Sequence, residues 1–229
     1  MKNELIRYIS ALVIILTMLI SMMAPVLAIE SEYSDIPTNW ARTPIIAAIK
    51  NGLLVGYNGK VSPNDPLTRA QMVTIINRAF GATVKADISN FTDVPATAWY
   101  RDDIAKAVNM GIMYGYNNQI TPNDNITREQ AFAIIARALK LSKDTYTSLD
   151  RFTDKDQIAT YFRGELSALA EAGYIVGSNN ALNPKGNITR AEFAQVMYNI
   201  VKSYIREPGT YTEASGNVMI NVPDVTLKD

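Results

Sequence analysis

The 229-residue chain contains neither cysteine nor histidine. Without cysteine there is no disulfide framework and no thiol nucleophile, so a chain of this size relies on its apolar core. Without histidine as well, Ser-His-Asp triads and zinc sites built on the usual nitrogen and sulfur ligands are excluded. An enzyme would have to work with carboxylates, lysine or tyrosine alone. An excess of one charge is also missing. With 22 Lys+Arg against 22 Asp+Glu, no global field draws the chain to nucleic acid or to an anionic membrane, and charge-based recognition must be local. No metal or cofactor is implied.

What is present begins with a targeting segment. Lys2 and Arg7 make a positive start, Ile9 to Ile20 is almost entirely apolar, and Val26-Leu27-Ala28 places compact residues where a signal peptidase cuts. The apolar run is shorter than the ~20 residues needed to cross a bilayer. Residues 1–28 are therefore expected to be a signal peptide cleaved after Ala28, with no stable membrane insertion afterwards.

The mature part is repetitive, and a repeat must be recognised before any other feature is read. Trp40, Ile45, Ala48, Gly52, Gly56, Tyr57, Pro63, Asp65, Thr68 and Arg69 return 59 residues later as Trp99, Ile104, Ala107, Gly111, Gly115, Tyr116, Pro122, Asp124, Thr127 and Arg128. A third copy, offset by a further 62, carries Gly173, Gly177, Pro184, Thr189 and Arg190. Tyr33-Ser34-Asp35, Phe91-Thr92-Asp93 and Phe152-Thr153-Asp154 stand ahead of the three copies. The units are placed at 33–82, 91–142 and 152–203.

Each unit reads as helix, loop, helix. The first helices are expected at about Arg42–Asn51, Asp102–Asn109 and Gly164–Glu171, each stopped by a glycine, Gly52, Gly111 or Gly173. In the second helices apolar residues recur at helical spacing: Met72, Ile75, Ile76, Ala79 and Phe80, then Ala131, Ile134, Ile135, Ala138 and Leu139, then Phe193, Val196, Met197, Ile200 and Val201. In the turn-rich loop between, Leu54-Val55 and Val61 are candidates for a very small hairpin. A unit this size exposes an apolar face if alone, so the fold class is mainly α: three tandem repeats packed as one three-lobed body with grooves between lobes.

The second helices open with Thr68-Arg69-Ala70-Gln71, Thr127-Arg128-Glu129-Gln130 and Thr189-Arg190-Ala191-Glu192. Threonine at N-cap with Gln or Glu at N3 is a capping box. Arginine at N1 is unfavourable, because a cation facing the positive end of the helix dipole loses about 0.3–1 kcal/mol. Two explanations stand side by side. One is structural: a salt bridge to a neighbouring acid, Asp65 or Asp124 for example, or packing of the arginine stem on the adjacent lobe. The other is that the arginine and the free amides of the helix start hold an anion, a charge-assisted bond worth about 1.5–3 kcal/mol.

At these residues the chain resembles the S-layer homology domain family of bacterial surface proteins. The likeness rests on Asp35-Ile36-Pro37 with Trp40, on Asp93-Val94-Pro95 with Trp99, on the Gly-hydrophobic-Tyr and Pro-Asn-Asp loop pieces, and on the Thr-Arg-Ala-Glu-like helix starts. It covers about residues 35–203. The resemblance implies a pseudo-threefold spindle that attaches proteins non-covalently to secondary cell-wall polysaccharide, often one bearing a pyruvate ketal. It makes Arg69, Arg128 and Arg190 carboxylate ligands and Trp40 and Trp99 candidate sugar platforms. It also makes Asp35, Asp93 and Asp154 partners of sugar hydroxyls, and Gly56, Gly115 and Gly177 points of close ligand approach. For the two tryptophans, core filling stands as the alternative. The third copy departs from the pattern, with Tyr161-Phe162 for Trp99-Tyr100, Ser178 for the loop tyrosine and Lys185-Gly186 for Asn-Asp, so its groove is expected to bind weakly or not at all.

Residues 204–229 lose the helical period. Val218, Ile220 and Val222, then Val225 and Leu227, alternate with polar neighbours around Pro223-Asp224, which suggests two strands and the first rung of a β-solenoid that continues or once continued. Anchoring to wall polysaccharide is the leading function. A self-assembling surface-layer component is the alternative, and a glycosidase with paired carboxylates is disfavoured because Asp102-Asp103 has no counterpart in the other copies.

Overall fold

The computed structural model describes residues 26–212 and 216–228. The apolar run at 9–20 lies outside them. Helix α1 is described over 26–32; Ile29 and Tyr33 are buried against the body and Glu30 pairs with Arg42. A cut after Ala28 would keep these contacts. No helix among the described residues is long and apolar enough to cross a membrane.

The three first helices are α2 (Arg42–Lys50), α4 (Arg101–Asn109) and α6 (Arg163–Glu171), and the three second helices are α3 (Arg69–Phe80), α5 (Arg128–Ala138) and α7 (Arg190–Ile200). All three capping boxes form: Thr68, Thr127 and Thr189 accept from the N3 amides, and Gln71, Gln130 and Glu192 accept from the N-cap amides. The first helices end two residues before Gly52, Gly111 and Gly173, whose φ values of 65°, 69° and 73° are left-handed, a conformation glycine adopts without a Cβ penalty. The expected hairpin does not form. Tyr57 and Lys60 make one antiparallel bridge across the Asn58-Gly59 turn, and Leu54 and Val61 are buried in the core instead.

The lobes are not the repeats. Helix α4 packs on α3, α6 on α5, and α2 on α7, so each lobe joins the first helix of one repeat to the second helix of the repeat before it, and the last repeat closes on the first. At the centre the three loops meet in a closed ring of backbone hydrogen bonds. Leu67 N–H donates to Ile188 O (3.0 Å), Ile188 to Ile126 (3.1 Å) and Ile126 to Leu67 (2.9 Å), with all three side chains fully buried. The ring works because the residue before each N-cap lies outside the helix with its N–H and C=O free, and burying those groups requires that they be paired.

Strands β3 (Val218–Ile220) and β4 (Val225–Lys228) lie where the alternation places them, but they do not pair with each other. β3 pairs in parallel with β1 (Ser203–Ile205), and β4 with β2 (Gly209–Thr212). β1 and β2 carry too few alternating residues to stand out in the sequence. Ile205 anchors the tail on the helical body.

Candidate functional site

Three clefts recur around the body, and the repeat equivalences make them the same site built three times. Groove 1 is lined by Leu53, Leu54 and Val55 of the first loop, by Gln71, Thr74, Ile75 and Arg78 of α3, by Arg190 and by Trp99. Groove 2, about 450 Å³, has Tyr114 to Tyr116 of the second loop, Gln130, Ile134 and Arg137 of α5, Arg69 and Tyr161. Groove 3, about 380 Å³, has Tyr174 to Ser178 of the third loop, Glu192, Gln195, Val196 and Asn199 of α7, Arg128 and Trp40. Each groove therefore takes loop and helix from one repeat, arginine from the preceding one and an aromatic ring from the following one, in cyclic order.

The arginines reach their grooves because N1 of each second helix abuts the next repeat's loop. Arg69 Nε donates to Ile120 O (2.7 Å), Arg128 Nε to Leu182 O (2.6 Å) and Arg190 Nε to Val61 O (2.6 Å). Arg190 Nη2 also reaches Val55 O (2.8 Å) and Arg69 Nη2 reaches Tyr114 O (3.4 Å). A guanidinium has five N–H donors, so donors remain after these bonds are made. Burial pushes the Arg69 and Arg190 guanidinium groups below the ordinary arginine value; Asp124 and Asp93 oppose this at Arg69, and Asp65 and Asp35 oppose it at Arg190. Neither arginine has an acid within ion-pair distance among the described residues. In groove 3, by contrast, Arg128 Nη1 lies 2.7 Å from Glu192 Oε1.

The helix-start amides cannot share in holding an anion. Arg69, Arg128 and Arg190 N–H donate to Asp124, Gly186 and Asp65 carbonyls at 2.8–3.0 Å, and the N2 amides of Ala70, Glu129 and Ala191 donate to Pro122, Pro184 and Pro63. The N3 amides are taken by the capping threonines. Each arginine is held by a neighbouring carbonyl, and Arg128 is also paired with a neighbouring acid, Glu192 rather than Asp65 or Asp124.

A family model described as the S-layer homology domain matches residues 32–73, 90–132 and 151–194. The chain belongs to the S-layer homology domain family. Among its relatives are an amylopullulanase of Thermoanaerobacterium thermosulfurigenes, 31% identical over 178 residues (76% of this chain, 10% of the relative), and the exoglucanase XynX of Acetivibrio thermocellus, 29% identical over 175 residues (74% and 16%). A surface-layer 125 kDa protein of Lysinibacillus sphaericus is 30% identical over 177 residues (75% and 15%). The chain thus spans between about a tenth and a sixth of the length of these relatives. The likeness to the enzymes runs only through their S-layer homology region. S-layer homology domains anchor proteins to the cell wall, and this one is an exported, cell-surface protein.

Within the S-layer homology repeats the other candidate residues have distinct places. Trp40 and Trp99 are 58% and 64% exposed, so they do not fill the core; each stands at a groove. Asp35, Asp93 and Asp154 clamp their own loops instead of lining a groove. Their carboxylates accept the amides of Val61 and Ser62, of Ile120 and Thr121, and of Leu182 and Asn183 at 2.7–3.1 Å. At Gly56, Gly115 and Gly177 the space of a Cβ is taken from inside. It would lie 2.1 Å from the Tyr33 ring, 2.4 Å from Phe91 and 2.5 Å from Ala181 O respectively. Arg78, Arg137, Tyr114 and the N3 glutamines were not singled out by sequence reasoning as groove residues. Arg78 and Arg137 do share the 59-residue offset, a signal that could have found them.

Proposed function

We propose that the three grooves bind secondary cell-wall polysaccharide, the carboxylate of a pyruvate-ketal sugar facing the groove arginine and the aromatic ring stacking on the apolar face of a pyranose. The observation that carries this reading is the recurrence, at every groove, of a half-buried arginine beside an exposed aromatic side chain: Arg190 with Trp99, Arg69 with Tyr161, Arg128 with Trp40. Trp99 and Tyr161 rest edge-on against Tyr100 and Phe162 and all three groove rings stay largely open to solvent, and ring faces are well matched to sugar C–H surfaces. Several weak grooves on one repeating polymer gain from avidity, so the anchor does not require a tight single site.

The test is co-sedimentation with purified wall sacculi before and after chemical removal of the secondary polymer. The chain should pellet with native sacculi and stay in solution with stripped ones. Replacing Trp40, Trp99 and Tyr161 together with alanine should abolish pelleting while the circular-dichroism spectrum stays that of the folded chain, the melting temperature falling only by what the edge contacts of Trp99 on Tyr100 and Tyr161 on Phe162 contribute. Equal pelleting with stripped sacculi would overturn the polysaccharide reading.

A further inference from the structure

We infer that Tyr204 of the tail is a positioning residue for groove 3: it sets α2, and through α2 the Trp40 ring, against α7. What that ring is for rests on the groove reading proposed above. The three lobes are built from equivalent helices, but the chain joins the helices of only two of them. Residues 81–100 lead from α3 into α4 and residues 139–162 from α5 into α6, whereas α7 and α2 belong to the last repeat and the first. A short connection holds two helices at high effective concentration, and the third lobe has none. Both connecting segments also bond the helix they reach. Ala86 N–H donates to Ala105 O of α4 (3.0 Å) and Lys85 pairs with Asp102 (2.6 Å). Lys143 N–H donates to Gly164 O of α6 (3.2 Å) and Ser148 Oγ donates to Ser167 O (2.7 Å).

Side chains tie the same two lobes. Asp103 of α4 accepts from Thr74 (2.8 Å) and Asn77 (3.1 Å) of α3, and Glu165 of α6 accepts from Arg137 (2.9 Å) of α5. Asp103 and Glu165 are equivalent by the repeat offsets, and their counterpart in α2 is Pro44, whose ring has no polar atom to offer. Among the described residues α2 and α7 share no side-chain hydrogen bond or ion pair. They meet through small and apolar residues, and a cavity of about 80 Å³ remains beside Pro44, Ala48, Ala194 and Met197, with Tyr204 in its wall. The tail does here what the connecting segments do elsewhere. Strand β1 starts within three residues of α7, Ile205 is buried, and Tyr204 is half-buried against the helices. Arg206 lies so close to Gly52, just past the end of α2, that a Cβ there would stand 2.7 Å from Nη1. Asn217 Nδ2 donates to Ile200 O (2.9 Å) and Asn221 Nδ2 to Arg78 O (3.3 Å), which fixes the tail on the body. Trp40 directly precedes the α2 N-cap, Ala41, and lines groove 3 with Gln195, Val196 and Asn199 of α7, so a shift of α2 on α7 moves the ring within the groove. Its counterpart Trp99 precedes α4, which the chain and Asp103 already hold.

Trp40 and Trp99 are the two tryptophans of the chain, so each can be made the single emitter. The experiment introduces Tyr204→Ala into the full chain carrying Trp99→Phe and, separately, into the full chain carrying Trp40→Phe. Trp40 fluorescence anisotropy should fall and the α2 amides should exchange about tenfold faster, while Trp99 anisotropy and exchange in α4 and α6 stay as they were. Tyr204→Phe should leave all four readouts unchanged, because the ring and not the hydroxyl fills the seam. An unchanged Trp40, equal loss of anisotropy at both tryptophans, or protection lost over all three lobes overturns the inference, the last two marking a general loss of stability. With both tryptophans in place, Tyr204→Ala should raise the sacculus concentration needed for half-maximal pelleting by about twofold, one groove of three being impaired. Loss of Trp40 anisotropy with unaltered pelleting would overturn the binding role given to Trp40 and leave its positioning by Tyr204 standing.

Discussion

Each N1 arginine has a folding role that is separable from its proposed ligand role. Arg190 holds Val55 and Val61 carbonyls of another repeat, and Val61 is almost wholly buried, so removing the guanidinium deprives a part-buried acceptor of its charged donor. Arg190→Ala should lower unfolding free energy by about 1–3 kcal/mol, read from urea denaturation. Unchanged stability would show that solvent reaches these carbonyls and that the arginine is kept for binding alone. The helix dipole, which disfavours a cation at N1, is outweighed by these inter-repeat bonds. That partner could not be read from the sequence, because the acceptor is a backbone oxygen 129 residues away, common to every residue type.

At the scale of elements, the loop between the two helices is organised by one carboxylate per repeat. Asp93 receives the adjacent amides of Ile120 and Thr121, the two oxygens acting as a clamp across 28 residues. Asp93→Asn replaces one acceptor oxygen with a donor aimed at an N–H and should cost about 1–3 kcal/mol, checked by the same urea titration together with loss of amide protection at Ile120 and Thr121 in hydrogen exchange. Equal protection would mean that the loop is held by the arginine alone. The tail shows a different local logic. β1 pairs with β3 and β2 with β4, in parallel, at offsets of 15 and 16 residues. Both pairs are parallel, the arrangement found between successive coils of a β-solenoid. Alternation within 218–227 made β3 and β4 legible, whereas their partners depended on pairing across sequence distance.

The whole molecule is a closed ring, and closure has a consequence for stability. Because α2 packs on α7, the first repeat is completed by the last; Pro44 and Ala48 face Ala194, Met197 and Val201. A chain cut back to residues 29–150 loses α6 and α7 and uncovers apolar faces on α2 and α5, so it should show no cooperative thermal transition by calorimetry. A sharp transition in the two-repeat chain would mean that the lobes fold independently, as in an open solenoid with nearest-neighbour coupling. Closure also redistributes the departures of the third repeat. Tyr161 belongs to groove 2 and Ser178 to groove 3, so the sequence expectation of one weakened groove becomes one altered residue in each of two grooves.

The helices, their caps and stops, the threefold repetition and the family were determined by the sequence alone, because capping, helical period and left-handed glycine stops depend on residues within a few positions of one another. Tertiary structure decided which repeats share a lobe, what each arginine holds, that Trp40 and Trp99 face solvent, and that every groove draws on three repeats at once. A repeat in sequence leaves open whether each helix pairs within its own unit or with the neighbouring one, since identical apolar faces fit either way. The short central loops, joined through Leu67, Ile126 and Ile188, hold the chain in the exchanged arrangement, and with it they set the composition of each groove.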